Sequence, residues 1–256
     1  MTSAGASLLV LAWLQLNIQF PETAMTHVEQ GLRWVHFVAG ITWIGLLYFF
    51  NLVSMPVMKE CAPAMRAEVV TRMMPRALWW FRRSADVTVL AGLLYFIIYM
   101  MRDARNAGEP TLAWKWLGLW FVVWVAAWGL MYFVIRRPAV AGWVVAGTAL
   151  VVFVVASWIV LSILAHPEVS NRTLSIAVGG GIGLVLLLNV HGIVWPAQKR
   201  IIAWTKASVE QGTPIPPEAE RFARHVYLAS RMSFWLSFPM LFFMAASSHY
   251  PFLSGK

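Results

Sequence analysis

Long apolar runs alternate with short polar, basic ones along most of this 256-residue chain. Six runs, at about 31–57, 84–101, 113–135, 139–165, 173–196 and 226–248, are long enough to cross a bilayer. A helix rising 1.5 Å per residue needs roughly 20 residues for that. The pattern predicts an all-α, polytopic membrane helix bundle with six transmembrane helices. Ser7–Phe20 is a shorter apolar stretch closed by Pro21, read as an N-terminal interfacial helix lying on the membrane surface. A signal-like segment and a seventh short span are the alternatives. The chain is accordingly divided into a peripheral segment, 1–29, and one helical membrane domain, 30–256.

Composition agrees with a membrane setting: 60% of residues are hydrophobic and only 12% charged, far from soluble averages. The formal charge of +9 would suit nucleic acid in a soluble protein. Here the basic residues gather in alternate connections. The 58–83 loop holds Lys59, Arg66, Arg72, Arg76, Arg82 and Arg83, and 197–225 holds Lys199, Arg200, Lys206, Arg221 and Arg224. Arg136 and Arg137 mark the third-to-fourth connection. The positive-inside rule then places these three loops in the cytoplasm and both termini outside. No nucleic-acid partner is expected; the bilayer is.

Cys61 is the sole cysteine, which excludes a disulfide framework and a covalent C-x-x-C-H haem. Met73 and Met74 lack the repeated spacing a copper site would need. No phosphate-binding loop, dinucleotide fingerprint, nucleophile elbow or zinc-protease motif is present. What remains is histidine, the usual axial ligand of haem iron and an expensive side chain in lipid.

His36, Gly40 and Trp43 fall on one helical stripe of the first span. The glycine leaves room for a flat macrocycle and the tryptophan could wall it. A histidine hydrogen-bonded to a neighbouring helix explains the same residue without a cofactor. Depth sorts the other histidines. His249 closes the sixth span on the same side as His36, whereas His191 and His225 lie on the opposite side. The pairs His36–His249 and His191–His225 could therefore each hold one iron, and a His36–His191 pair could not. The second pair also suits contact with lipid phosphate. Asp86 and Arg231 lie at a common depth and form a candidate ion pair, with snorkelling to the interface as the alternative. Gly179, Gly180, Gly181 and Gly183 in the fifth span permit close helix packing or a cofactor face. The stretch Thr205–Glu220, with Gly212, Pro214, Pro216 and Pro217, reads as an irregular turn.

The run Leu32-Arg-Trp-Val-His36-Phe-Val-Ala-Gly40-Ile-Thr-Trp43-Ile-Gly45 resembles the first helix of the membrane domain of bacterial cytochrome-c-linked urate hydroxylases. Trp195-Pro-Ala-Gln198-Lys-Arg200, Phe238-Pro239-Met-Leu-Phe-Phe and Ser248-His249-Tyr250-Pro251 are similar to that family's C-terminal third. The H-x-x-x-G-x-x-W-x-G pattern also resembles membrane protoporphyrinogen oxidases, where the early histidine is associated with haem b, and copper-export-type proteins. The resemblance implies a protein of the bacterial inner membrane. It would bind haem b through His36, with His249 as a second iron ligand, and pass electrons to an external cytochrome c. That cytochrome would be another chain, since the family's own cytochrome domain has no counterpart after His249-Tyr250-Pro251. The last span also departs from the family, carrying Arg231-Met232-Ser233-Phe234-Trp235 where the family has polar His and Asn residues. Those departures point to a second function class: a non-catalytic accessory subunit of a respiratory or photosynthetic complex.

Overall fold

The computed structural model describes residues 19–254, so the interfacial helix expected at Ser7–Phe20 lies almost wholly outside the described residues. Six helices follow in order: α1 (Ala24–Glu60), α2 (Pro63–Asn106), α3 (Leu112–Arg136), α4 (Gly142–Ile163), α5 (Asn171–Gln211) and α6 (Glu218–His249). All six are long and apolar enough to cross a membrane, and no strand occurs among the described residues. The protein is a multi-pass helical membrane protein.

Backbone contacts divide the chain at Gly31/Leu32. In the first unit, His27 Nε2 donates to the Pro21 carbonyl at 2.9 Å. In the second, α5 is the central element: 83% of its apolar window is buried, against 22–44% for the other helices. It packs on α6, α2, α3 and α4.

Several helices outrun the apolar windows that announce them. At 1.5 Å per residue, α2 and α5 reach roughly 60 Å, about twice a hydrocarbon core. The basic connections are therefore mostly helical. Only Cys61 and Ala62 interrupt the α1–α2 connection. The turn expected at Thr205–Glu220 shrinks to 212–217, because α5 runs on to Gln211 before Gly212 ends it at φ +68°. Propensity explains the extension: these segments are rich in Ala, Lys, Arg, Glu and Gln, and the start of α2 packs on the tail of α5.

Three π-helical turns, Phe49–Ser54, Val69–Met73 and Val190–Val194, interrupt α1, α2 and α5. Each is followed by a proline in the first turn of the resumed α-helix: Pro56, Pro75 and Pro196. A proline clashes with the carbonyl four residues back and supplies no N–H to it. Those carbonyls belong to Leu52, Thr71 and Gly192, all inside the widened turns. The ladder relaxes locally rather than breaking. Asn51 and His191 sit within two of these turns.

Candidate cofactor cavity

His36 lies on the part of α1 that precedes its π turn. Below it, the π turn at Phe49–Ser54 rests on α6, and buried Asn51 donates to Ser230 Oγ at 2.9 Å. Tyr48 meets Ser237 through their hydroxyls at 3.1 Å. Beyond that level α1, α2, α3, α5 and α6 line a partly open cavity of about 650 Å³. Its volume is typical of sites for small molecules and cofactors (~300–1,000 Å³). Membrane bundles, like other protein interiors, leave few such voids.

His36 is placed on the wall by α2. The Thr88 carbonyl lies 2.8 Å from His36 Nδ1. A carbonyl only accepts, so Nδ1 carries the proton, and in the neutral ring Nε2 keeps its lone pair. This is how metal-binding histidines are oriented. The contact depends on Gly92, one turn beyond Thr88: a Cβ there would stand 2.8 Å from the imidazole. Gly40 and Gly45 also line the cavity, and no packing demands them. A Cβ on Gly40 would meet only Thr88 Cγ2 at 3.6 Å, and one on Gly45 would meet nothing within 4 Å. Trp43 is 2% exposed and belongs to the same wall. Its indole N–H has no hydrogen-bond partner among the described residues.

His249 lines the cavity from α6. The Tyr48–Ser237 contact fixes the register between these antiparallel helices. His36 lies twelve residues before Tyr48 and His249 twelve after Ser237, so both stand about 18 Å from that level. His36, Gly40, Trp43 and His249 thus share one cavity, with the two histidines at equal depth.

The other histidines are arranged differently. Asn189 Nδ2 donates to Ser233 Oγ at 3.1 Å, which sets the α5–α6 register. His191 lies two residues from that level and His225 eight, a depth difference of about 9 Å. They do not form a pair. His225 sits edge-on to Phe222. His191 Nε2 instead meets Asp86 Oδ1 at 2.6 Å, and Arg83 takes the other carboxylate oxygen at 3.2 Å. The Asp86–Arg231 ion pair is therefore corrected. The depth is right, but Arg231 faces the Tyr227 ring, 5.7 Å from its centroid.

The glycine run of α5 packs closely on its neighbours at some positions and borders the cavity at others. Trp116, Trp120, Trp124 and Trp128 form a ladder at four-residue spacing on α3. The Trp120 and Trp124 indoles donate to the Ala177 carbonyl at 2.7 and 3.2 Å. Trp128 donates to Asn189 Oδ1 at 3.2 Å. Trp124 occupies the space above Gly181 and Trp128 that above Gly192. Gly180 and Gly183 border the cavity, and Gly179 does so while packing tightly on α6, where a Cβ would stand 2.8 Å from the Met244 methyl and 3.1 Å from the Met240 carbonyl. Sequence reading missed Thr88, Gly92 and the indole ladder. The signals were the Ser84, Thr88, Gly92 stripe and the Trp-x-x-x-Trp period, both at helical spacing.

No group of three or more metal-ligating side chains occurs among the described residues. A haem needs fewer, since the porphyrin supplies four of the iron's donors. One imidazole with a free Nε2, a second at equal depth, glycines in the wall and a mostly apolar lining with Arg33 at one end fit such a group.

Fold and cavity together define a polytopic helical membrane protein with an imidazole-bearing chamber between its first helix and the rest. The chain belongs to the urate oxidase N-terminal family, whose model matches residues 63–256. The match begins at the start of α2, so α1 and His36 lie outside it. No curated protein and no solved structure matches the chain.

Proposed function

We propose that this urate hydroxylase-like membrane protein is a redox protein that binds haem b in the cavity through His36. His249 is the second ligand and an external cytochrome c on another chain is the electron acceptor. The observation that carries this reading is the His36–Thr88 contact on the wall of a 650 Å³ cavity. It leaves Nε2 of a cavity-lining imidazole free to ligate. Bound there, haem would supply a one-electron couple near one end of the bundle.

The chain's own residues do the rest. Thr88 fixes the ring and tautomer of His36, and Gly92 lets that contact form. Gly40, Gly45, Gly180 and Gly183 keep the walls flat. Tyr48, closed by Phe234 and Phe238 at centroid distances of 5.3 and 5.9 Å, seals the floor. Such a lining excludes water and holds the site at low polarity, which tunes potential. On this reading the cavity end, with both termini, faces the periplasmic side of a bacterial inner membrane, which the bias of basic residues to the opposite loops supports, and a soluble cytochrome can reach it there.

The test is an optical spectrum of the protein purified from haem-replete cells, oxidised and then dithionite-reduced. A b-type Soret band, with reoxidation by added cytochrome c, is expected. A colourless protein under full haem supply would end the proposal.

A further inference from the structure

Trp43, which belongs to the cavity wall, also borders a second, smaller pocket of about 80 Å³. This pocket runs along α1 from Trp43 to Met55, away from His36 and toward the basic end of the bundle, where Gln198 lines it from α5. Trp43 and Ser54 are eleven residues apart, roughly 16 Å of helix.

The wall is mostly apolar, yet Ser54, Asn189, Ser230 and Ser233 line it, and all four are buried. Asn51 adjoins them. Its amide donates to the Leu47 carbonyl and to Ser230 Oγ, at 2.9 Å each, and both of those residues line the pocket. Polar side chains inside a membrane bundle are expensive and tend to mark functional sites. The backbone marks the same place. Phe50 and Ser54 belong to the π turn of α1, Val190 and Val194 to that of α5, and Met74 directly follows that of α2. Widened turns of this kind often accompany functional sites.

Hydrogen bonding around the pocket is incomplete among the described residues. The Trp43 indole N–H and Asn51 Oδ1 are both buried without a partner. The first can only donate and the second only accept. Ser230 and Ser233 accept from Asn51 and Asn189, which leaves their own hydroxyl protons to be donated. An occupant must therefore accept from an indole and donate to an amide oxygen. A metal cation fails the first demand, a halide the second and a hydrocarbon both. Water meets both, and 80 Å³ holds about two or three molecules at roughly 30 Å³ each.

We infer that this pocket is a bound-water site, in which a few waters hydrogen-bond to the Trp43 N–H, Asn51 Oδ1 and the serine hydroxyls. The waters join α1 to α6 beside the π turns, and they fix the indole that Trp43 contributes to the cavity wall. Nothing in this site depends on haem.

The experiment is X-ray radiolytic footprinting of the detergent-purified chain, read by peptide mass spectrometry. Radicals formed from bound water oxidise the side chains beside it and spare those in dry packing. Phe81 and Phe153 are a matched pair, each 5% exposed. Phe81 lines the pocket, whereas Phe153 stacks on Trp124 in the packed face. Brief exposures should oxidise Phe81 and leave Phe153 unmodified. Asn51→Leu, which removes the amide at similar volume, should bring Phe81 labelling down toward that of Phe153. Protection of Phe81 equal to that of Phe153 in the unaltered chain overturns the site, and so does equal labelling of both. Undiminished labelling of Phe81 in a folded Asn51→Leu protein also overturns it, since solvent entering from outside would not need the amide. The Phe81–Phe153 comparison needs no variant, so it decides the matter even if the substitution prevents folding.

Discussion

Two faces of α5 use one glycine run in opposite ways. Toward α3, the space above Gly181 is filled by Trp124, whose indole is tied to the Ala177 carbonyl. Toward the cavity, Gly180 and Gly183 border open volume. Without water to drive helices together, membrane bundles depend on close packing and interhelical hydrogen bonds. The α3 face is stabilised in that way. The α1 face forgoes it along about 18 Å of helix, from Tyr48 to His36. The contrast separates glycines that let helices touch from glycines that keep a site open.

The sharpest way to break this comparison is to add a Cβ on each face. Gly181→Ala should destabilise by about 1–3 kcal/mol or more, because the added carbon overlaps a fixed indole. Gly183→Ala meets only the Met240 sulfur at 3.5 Å, ordinary contact, so it should leave stability nearly unchanged while weakening cofactor uptake. Thermal unfolding in detergent, read alongside the Soret amplitude, checks both. Equal loss of stability at the two positions would erase the distinction.

Gly92→Ala acts on α2 at the edge of the cavity. The new Cβ would lie 2.8 Å from the His36 ring and push it off the Thr88 carbonyl. The protein should still fold, with the haem spectrum lost or moved to that of a more weakly held ligand. A normal spectrum in Gly92→Ala would show that the His36–Thr88 contact does not orient the ligand.

Trp124→Phe tests the packed face more gently. It removes the hydrogen bond to Ala177, worth about 0.5–1.5 kcal/mol, at a residue outside the cavity wall, so a modest loss of stability is expected with an unchanged spectrum. The smallest effect should come from Asp86→Asn. Its side chain is 31% exposed and His191 is 43% exposed. Partly solvated pairs of that kind contribute no more than about 1 kcal/mol. Combining it with Arg231→Met should give additive losses, since the two side chains do not meet.

How much of this was readable beforehand follows from what sequence encodes. Six spans were legible because apolar length alone decides whether a helix can cross a bilayer. Depth was legible too. Counting residues from a span's end placed His36 with His249, and it placed Asp86 near the level of Arg231. Azimuth was not, because the direction a side chain takes around the bundle depends on how the helices pack. Asp86 therefore found His191 rather than Arg231, and the π turn ahead of Pro196 is part of what carries His191 there. The helical extensions at the basic end were hidden because charged, Ala-rich segments read as loops when hydropathy is the guide. Thr88 and Gly92 stayed unnoticed because their importance lies wholly in a residue on another helix.

The central claim is that the open face holds haem through His36, and comparing two histidine variants tests it most directly. His36→Ala and His191→Ala should both insert and fold. Spectra of the two purified proteins from haem-replete cells should differ, with the b-type Soret band absent in His36→Ala and intact in His191→Ala. A full b-type spectrum in His36→Ala, or its loss only in His191→Ala, would contradict the account.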